Sequence, residues 1–226
     1  MELVSPITFL YSFNKAPLSI QPSVPSLHPS SPSGLMGLLF LIHYANRAVI
    51  SPLRTPSRSK AHIIVPLCAI TFNTINGTLM GSYLTSSGAQ TFLQGAFSRP
   101  SFWFGVTLWA LGFVGNILHD EILLRIRRNV KKKSDDGKQH YAIPYGYLYK
   151  YISYPNYFCE WVEWLGFALA AAPFPGVSLT TATPPWLFIA SEVFLMAPRA
   201  VQGHAWYHQK FKDYPKERRA VIPFIL

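Results

Sequence analysis

Apolar residues in this chain gather in runs instead of alternating with polar ones. Long runs lie at 35–50, 63–84, 102–124, 157–172 and 186–197, with a shorter one at 3–13. A helix needs about 20 residues to cross the hydrocarbon core of a bilayer. The longer runs therefore predict membrane spans. The shorter ones, which hold polar residues, predict helices packed together in a bundle. The expected fold is all-α: a polytopic transmembrane helical bundle of about six spans, with residues 1–226 as a single domain. Between the runs, 16–34 is rich in proline and serine (Pro17, Pro22, Pro25, Pro29, Pro32) and predicts an irregular loop. The stretch KKKSDDG at 131–137 predicts a charged turn, and 173–184, with Pro173, Pro175, Gly176 and Pro184, a short turn on the opposite side. No internal repeat is evident.

Composition strengthens the membrane reading. Only 13% of the residues are charged, where a soluble domain carries about a quarter. Lysine and arginine are also segregated. Lys15 and Arg99 are the only two in the segments 14–33, 85–100 and 173–184, and the other 18 sit in 47–60, 125–150 and 199–219. Basic and non-basic loops thus alternate along the chain, as the positive-inside rule requires of successive spans. This places the basic loops and the C-terminus in the cytosol. The net charge of +10 becomes a property of one membrane face, suited to anionic lipid or a phosphorylated cofactor. Nucleic acid is a poorer partner, because no helix-turn-helix, finger or RNA-binding signature surrounds the basic stretches. Cys68 and Cys159 fall inside apolar runs and provide neither a disulfide framework nor a metal spacing. No metal is expected. Asn76-Gly77-Thr78 has the form of a glycosylation sequon, but within a predicted span it reads as coincidence.

Polar groups inside the runs are costly to insert, at roughly 2.5–3.5 kcal/mol for a charge at the helix centre, so their spacing is informative. Asn116, Asp120 and Arg127 fall at i, i+4 and i+11, one helix face. Asn156, Glu160 and Glu163 fall at i, i+4 and i+7, again one face. Tyr44 and Arg47 end the run at 35–50, and Arg199 and Tyr207 follow the last run. One reading is polar pairing between helices. Another is a polar cofactor cavity facing the cytosol. Neither GxGxxG after a strand nor GxxxxGK[ST] is present.

Specific motifs go further. The segment 156–169 follows NxxxExxEWxGxAL, and 214–224 follows YPKxRxAxIPF. Asn116 and Asp120, with Leu123 and Arg127, match NxxxDxxLxxLR. Asn76-Gly77 with Tyr83-Leu84 match NG…YL, His43-Tyr44 with Arg47 match HYxxR, and Glu2-Leu3-Val4-Ser5-Pro6 matches ELxSP. Together these resemble the 3-oxo-5α-steroid 4-dehydrogenases over nearly the whole chain. That family has seven spans, so the resemblance implies one further span ahead of Met1, and with it the readings of a shortened or an inactive chain.

The resemblance implies a reaction: NADPH reduces the Δ4 bond of a 3-oxo steroid, with hydride going to the β-carbon of the enone. It assigns 1–80 to the substrate side and 110–226 to the catalytic C-terminal part. Tyr44 corresponds to the tyrosine that donates to the enone oxygen, and Glu2 to the acid paired with it. Cofactor contacts carry over to Arg58, Asn116, Asp120, Arg127, Tyr141, Asn156, Glu160, Arg199 and Tyr207. Asn156, after Pro155, also reads as a helix N-cap. Departures are Gly203 in place of a histidine, Thr55 in place of an asparagine, and no basic residue near Leu67. A steroid or other lipid enone, membrane lipid and the endoplasmic reticulum are the implied partners and location. Reduction of a trans-2-enoyl thioester or a polyprenol, and methyl transfer from S-adenosylmethionine, are the competing chemistries.

Overall fold

A computed structural model describes residues 1–20, 25–55, 62–133, 141–175 and 183–226, with only the backbone for 130–133. The described residues are helical, without strands; a single isolated parallel bridge joins Ile152 to Arg219. The helices are α1 (Val4–Lys15), α2 (Pro32–Tyr44), α3 (Ser51–Arg54), α4 (Ile64–Leu84), α5 (Ser87–Leu93), α6 (Pro100–Lys133), α7 (Pro155–Ala171) and α8 (Pro184–Lys210). A π-helical stretch, Ala45–Ile50, links α2 to α3.

Each apolar run has become a helix, and the ends have local causes. Ser31 caps α2 by accepting a hydrogen bond from the Gly34 amide at 3.1 Å, with Pro32 at the first helical position. Ala16 ends α1 in the left-handed conformation, φ 45°, its amide returning to the Ser12 carbonyl. The expected loop at 85–100 instead contains α5 and a short 3₁₀ turn, Ala96–Ser98. Ser86 accepts from the Ala89 amide there, so a serine cap creates a helix where no long apolar run exists. The expected charged turn at 131–137 starts later than the composition suggests, because α6 continues to Lys133. Residues 134–140 and 176–182 lie outside the described residues.

The chain forms two compact units: Met1–Thr107 with Leu165–Ile189, and Leu108–Trp164 with Ala190–Leu226. In the first, α1 lies directly on α4. A methyl group at Gly77 would collide with the Ser5 carbonyl and the Thr8 hydroxyl, and one at Gly81 with the Phe9 carbonyl. Gly77 and Gly81 form a GxxxG pair, the spacing that lets two helix backbones touch in lipid. In the second, α6 meets α7 in the same manner. Gly112 faces the backbone of Cys159 and Glu163, and Gly115 faces the Cys159 sulfur.

Lipid is the solvent that this surface fits. On α4, Ile64, Val65, Leu67, Ile70, Ile75 and Leu79 are exposed, whereas Asn73, Asn76 and Ser82 are buried. That is the reverse of a water-soluble amphipathic helix. Among the described residues, three helical segments are long and apolar enough to cross a bilayer: Pro32–Arg54, Ile64–Leu84 and Pro100–Asn129. The architecture is that of a helical membrane protein.

Candidate functional site

In the second unit, the two polar faces anticipated on separate helices meet. Asn116 on α6 donates its amide to the Asn156 carbonyl at 3.0 Å and to Glu160 Oε2 at 3.2 Å. Asn156 donates to Asp120 Oδ1 at 3.0 Å. The close backbone approach at Gly112 and Gly115 makes these short side chains long enough to reach. Asn116, Asn156 and Glu160 are buried. The helix α7 begins at Pro155, so Asn156 sits inside the first turn and is not the N-cap. Its amide nitrogen serves α6 instead. Its Oδ1 is buried and accepts no hydrogen bond among the described residues.

An aromatic and basic group completes this unit. Tyr207 stacks on Tyr214 at 5.1 Å between ring centroids, and Tyr141 packs edge-on against Trp206 at 5.0 Å. Tyr207 lies past the apolar part of α8. Burial pushes its phenol up to about 12, against the opposing pull of Arg127 and Arg218, so it is a neutral hydrogen-bond donor at neutral pH. Arg127 and Arg199 are exposed, with their guanidinium groups available to water or an anion. Gly203 answers the departure noted above: the space that a side chain there would need is taken by the Tyr154 phenol. Burial also raises the Tyr154 phenol well above its ordinary range. Arg58 lies outside the described residues.

In the first unit, Tyr44 closes α2 and is 4% exposed. Its ring lies 4.8 Å from Phe40, which stacks on Phe9 of α1 at 4.5 Å. Its phenolic oxygen accepts a hydrogen bond from the Asn76 amide at 2.9 Å. Glu2, just ahead of α1, places Oε2 3.3 Å from Arg47 Nε, both side chains about one-third exposed. The substrate-side pair expected from the motifs thus sits beside two further groups, Asn76 and Arg47.

A family model described as 3-oxo-5-alpha-steroid 4-dehydrogenase matches residues 59–226. The chain belongs to that family. The rat 3-oxo-5-alpha-steroid 4-dehydrogenase 1 is 37% identical over 195 residues, covering 86% of this chain and 68% of the rat protein. The Arabidopsis thaliana steroid 5-alpha-reductase DET2 is 35% identical over 208 residues, covering 88% of this chain and 72% of its own length. An uncharacterized Schizosaccharomyces pombe protein, C9.08c, is 41% identical over 242 residues, covering all of this chain and 82% of its own. The family makes this chain an oxidoreductase.

Several groups around these residues carried no site signal in the sequence. His119 uses both ring nitrogens: Nδ1 lies 2.6 Å from the Gly115 carbonyl, and Nε2 accepts from the Leu148 amide at 3.2 Å. It pins the 3₁₀ turn Tyr147–Lys150 to α6. Ser153 Oγ lies 2.6 Å from both His204 Nδ1 and the Tyr214 phenol. The buried Arg218 donates to the Pro144 carbonyl at 3.1 Å and lies over the rings of Tyr145 and Tyr214. Apart from the one-turn contacts His119–Gly115 and Arg218–Tyr214, these partners are far apart in sequence, so no local periodicity links them. Asn76 is marked in the sequence by the NG motif and a sequon form, neither of which points to Tyr44.

Proposed function

We propose that this chain reduces the C=C bond of an α,β-unsaturated ketone with NADPH, the ketone being a 3-oxo-Δ4 steroid or a similar fused-ring lipid. The observation that carries the cofactor half is the Asn116–Asn156–Glu160–Asp120 network with its open Asn156 Oδ1. A buried amide oxygen without a donor is costly. A carboxamide N–H, such as a nicotinamide carries, is the complementary group. Arg127 and Arg199 suit phosphate, through planar charge-assisted hydrogen bonds, and Arg58 joins them in this assignment. Tyr141 and Tyr207 offer aromatic faces and phenols to the rest of the cofactor. The bound nicotinamide supplies hydride to the β-carbon of the enone.

The protein's own contribution lies at the other end of the enone. As hydride arrives, negative charge develops on the carbonyl oxygen. Tyr44 is a neutral phenol in an aromatic, water-poor surrounding, and a donor aimed at developing charge in such a place is worth about 3–4 kcal/mol. Glu2, held beside Arg47, is assigned to the same substrate end. The distribution of lysine and arginine supports an orientation with the C-terminus cytosolic, and this reading assigns the chain to the endoplasmic reticulum membrane.

The test is NADPH oxidation by detergent-solubilised protein with a 3-oxo-Δ4 steroid, a trans-2-enoyl thioester or a polyprenol as acceptor. Steroid-dependent oxidation that falls at least about tenfold in Tyr44→Phe is expected. Turnover restricted to the thioester or the polyprenol would replace the substrate class. NADPH binding without turnover of any acceptor would overturn the reductase reading.

A further inference from the structure

The geometry points to Asn76 as a positioning residue for Tyr44: its amide fixes the direction in which the phenol donates and strengthens that donation. This rests on the reading of Tyr44 as the donor to the enone oxygen. Asn76 lies on α4 and Tyr44 at the end of α2, 32 residues apart, and both are buried. The hydrogen bond runs from the Asn76 Nδ2–H to the phenolic oxygen. Here the phenol accepts, so Asn76 does not consume the O–H. The occupied lone pair restricts rotation of the hydroxyl, and a donated hydrogen bond polarises the next O–H in the chain. Asn73, one turn earlier, shows the contrast, because its amide returns to the Ala69 carbonyl of its own helix.

The surrounding packing holds both partners through one helix. On α4, the residue after Asn76 is Gly77, where the backbone of α1 leaves no room for a side chain. On α2, Phe40 lies between Phe9 of α1 and the Tyr44 ring. Thus α1 sets the rotation and depth of α4 through Gly77 and Gly81, and buttresses the Tyr44 ring through two aromatic contacts. Asn76 and Tyr44 meet at 2.9 Å because the same helix locates each. An asparagine inside an apolar run is costly, and a directed partner for the phenol is a function that accounts for its place.

Four proteins test this: wild type, Tyr44→Phe, Asn76→Leu and the double variant, compared in single-turnover reduction of a 3-oxo-Δ4 steroid by NADPH. NADPH affinity and thermal midpoint serve as fold controls. Tyr44→Phe is expected to slow the step about a hundredfold, and Asn76→Leu about tenfold, with KM for the steroid little changed. The double variant is expected to be no slower than Tyr44→Phe, because a residue acting through the phenol has nothing to act on once the hydroxyl is gone. Losses that multiply in the double variant, or an Asn76→Leu protein as fast as wild type, would overturn the positioning role and leave Tyr44 in place. A Tyr44→Phe protein as fast as wild type would overturn the donor assignment, and the proposal with it. If Asn76→Leu does not fold, Asn76→Ala replaces it in the same cycle.

Discussion

The two compact units bury different kinds of polar group. The first has Phe9, Met36, Phe40 and Met80 in its core, and among the described residues its buried polar side chains are hydroxyls, amides and one imidazole, with Asn76 donating to the Tyr44 phenol. The second buries the amides and carboxylates of Asn116, Asn156, Glu160 and Glu163, bonds Asn156 to the half-buried Asp120, and adds tyrosines and arginines. An enone carbonyl is an apolar molecule's one polar atom, and a single well-aimed donor in dry surroundings suits it. A nicotinamide dinucleotide has many polar groups and several charges, and it needs a matching set. The contrast in local chemistry is therefore what a division between carbonyl activation and cofactor binding would produce.

The contrast can be broken at its supports first. Gly112→Val would drive a side chain into the α7 backbone, and the expected loss exceeds about 3 kcal/mol, seen as a fall in thermal midpoint and in monodisperse yield. Gly77→Val should do the same through α1. Retention of wild-type stability by either would contradict the close helix contact. Next in size, Tyr44→Phe should lower kcat about a hundredfold while NADPH affinity, followed by fluorescence, stays within twofold. Asn156→Ala should do the opposite, weakening NADPH about tenfold with a smaller effect on the bound rate. If both variants moved the same parameter, the two units would not divide the work as proposed. The smallest effect belongs to Glu2→Gln. The ion pair with Arg47 is about one-third exposed, so its contribution to stability is below about 1 kcal/mol. A large change in kcat without a change in stability would mark Glu2 as a reacting group.

How legible each part was depended on how local its cause is. The long helices were visible because lipid selects continuous apolar runs, and 63–84 became α4 with hardly a residue of difference. The Asn116–Asp120 and Asn156–Glu160 faces were visible because one-turn spacing is a local signal. That they face each other was not, since it depends on Gly112 and Gly115 clearing the way. Helix α5 was hidden because SGAQTFL is short and mixed, and its serine cap is a weak signal by itself. The sequence shows Asn76 as part of the NG motif and of a sequon form but not as the partner of Tyr44, which is 32 residues away with no period to connect them.

The stretch Ala45–Ile50 immediately after Tyr44 has a consequence for how this region tolerates change in length. Its hydrogen bonds span five residues, as from the Ser51 amide to the Asn46 carbonyl, one more than in an α-helix. None of its residues is buried, so no core contact fixes that surplus residue. Removing one residue there would let the segment relax into regular α-helix. Everything before it, Tyr44 included, would keep its aim, while Ser51–Arg54 would advance by one position. The wide turn is thus a natural point of insertion and deletion, at which the chain can re-register its basic side without disturbing its phenol.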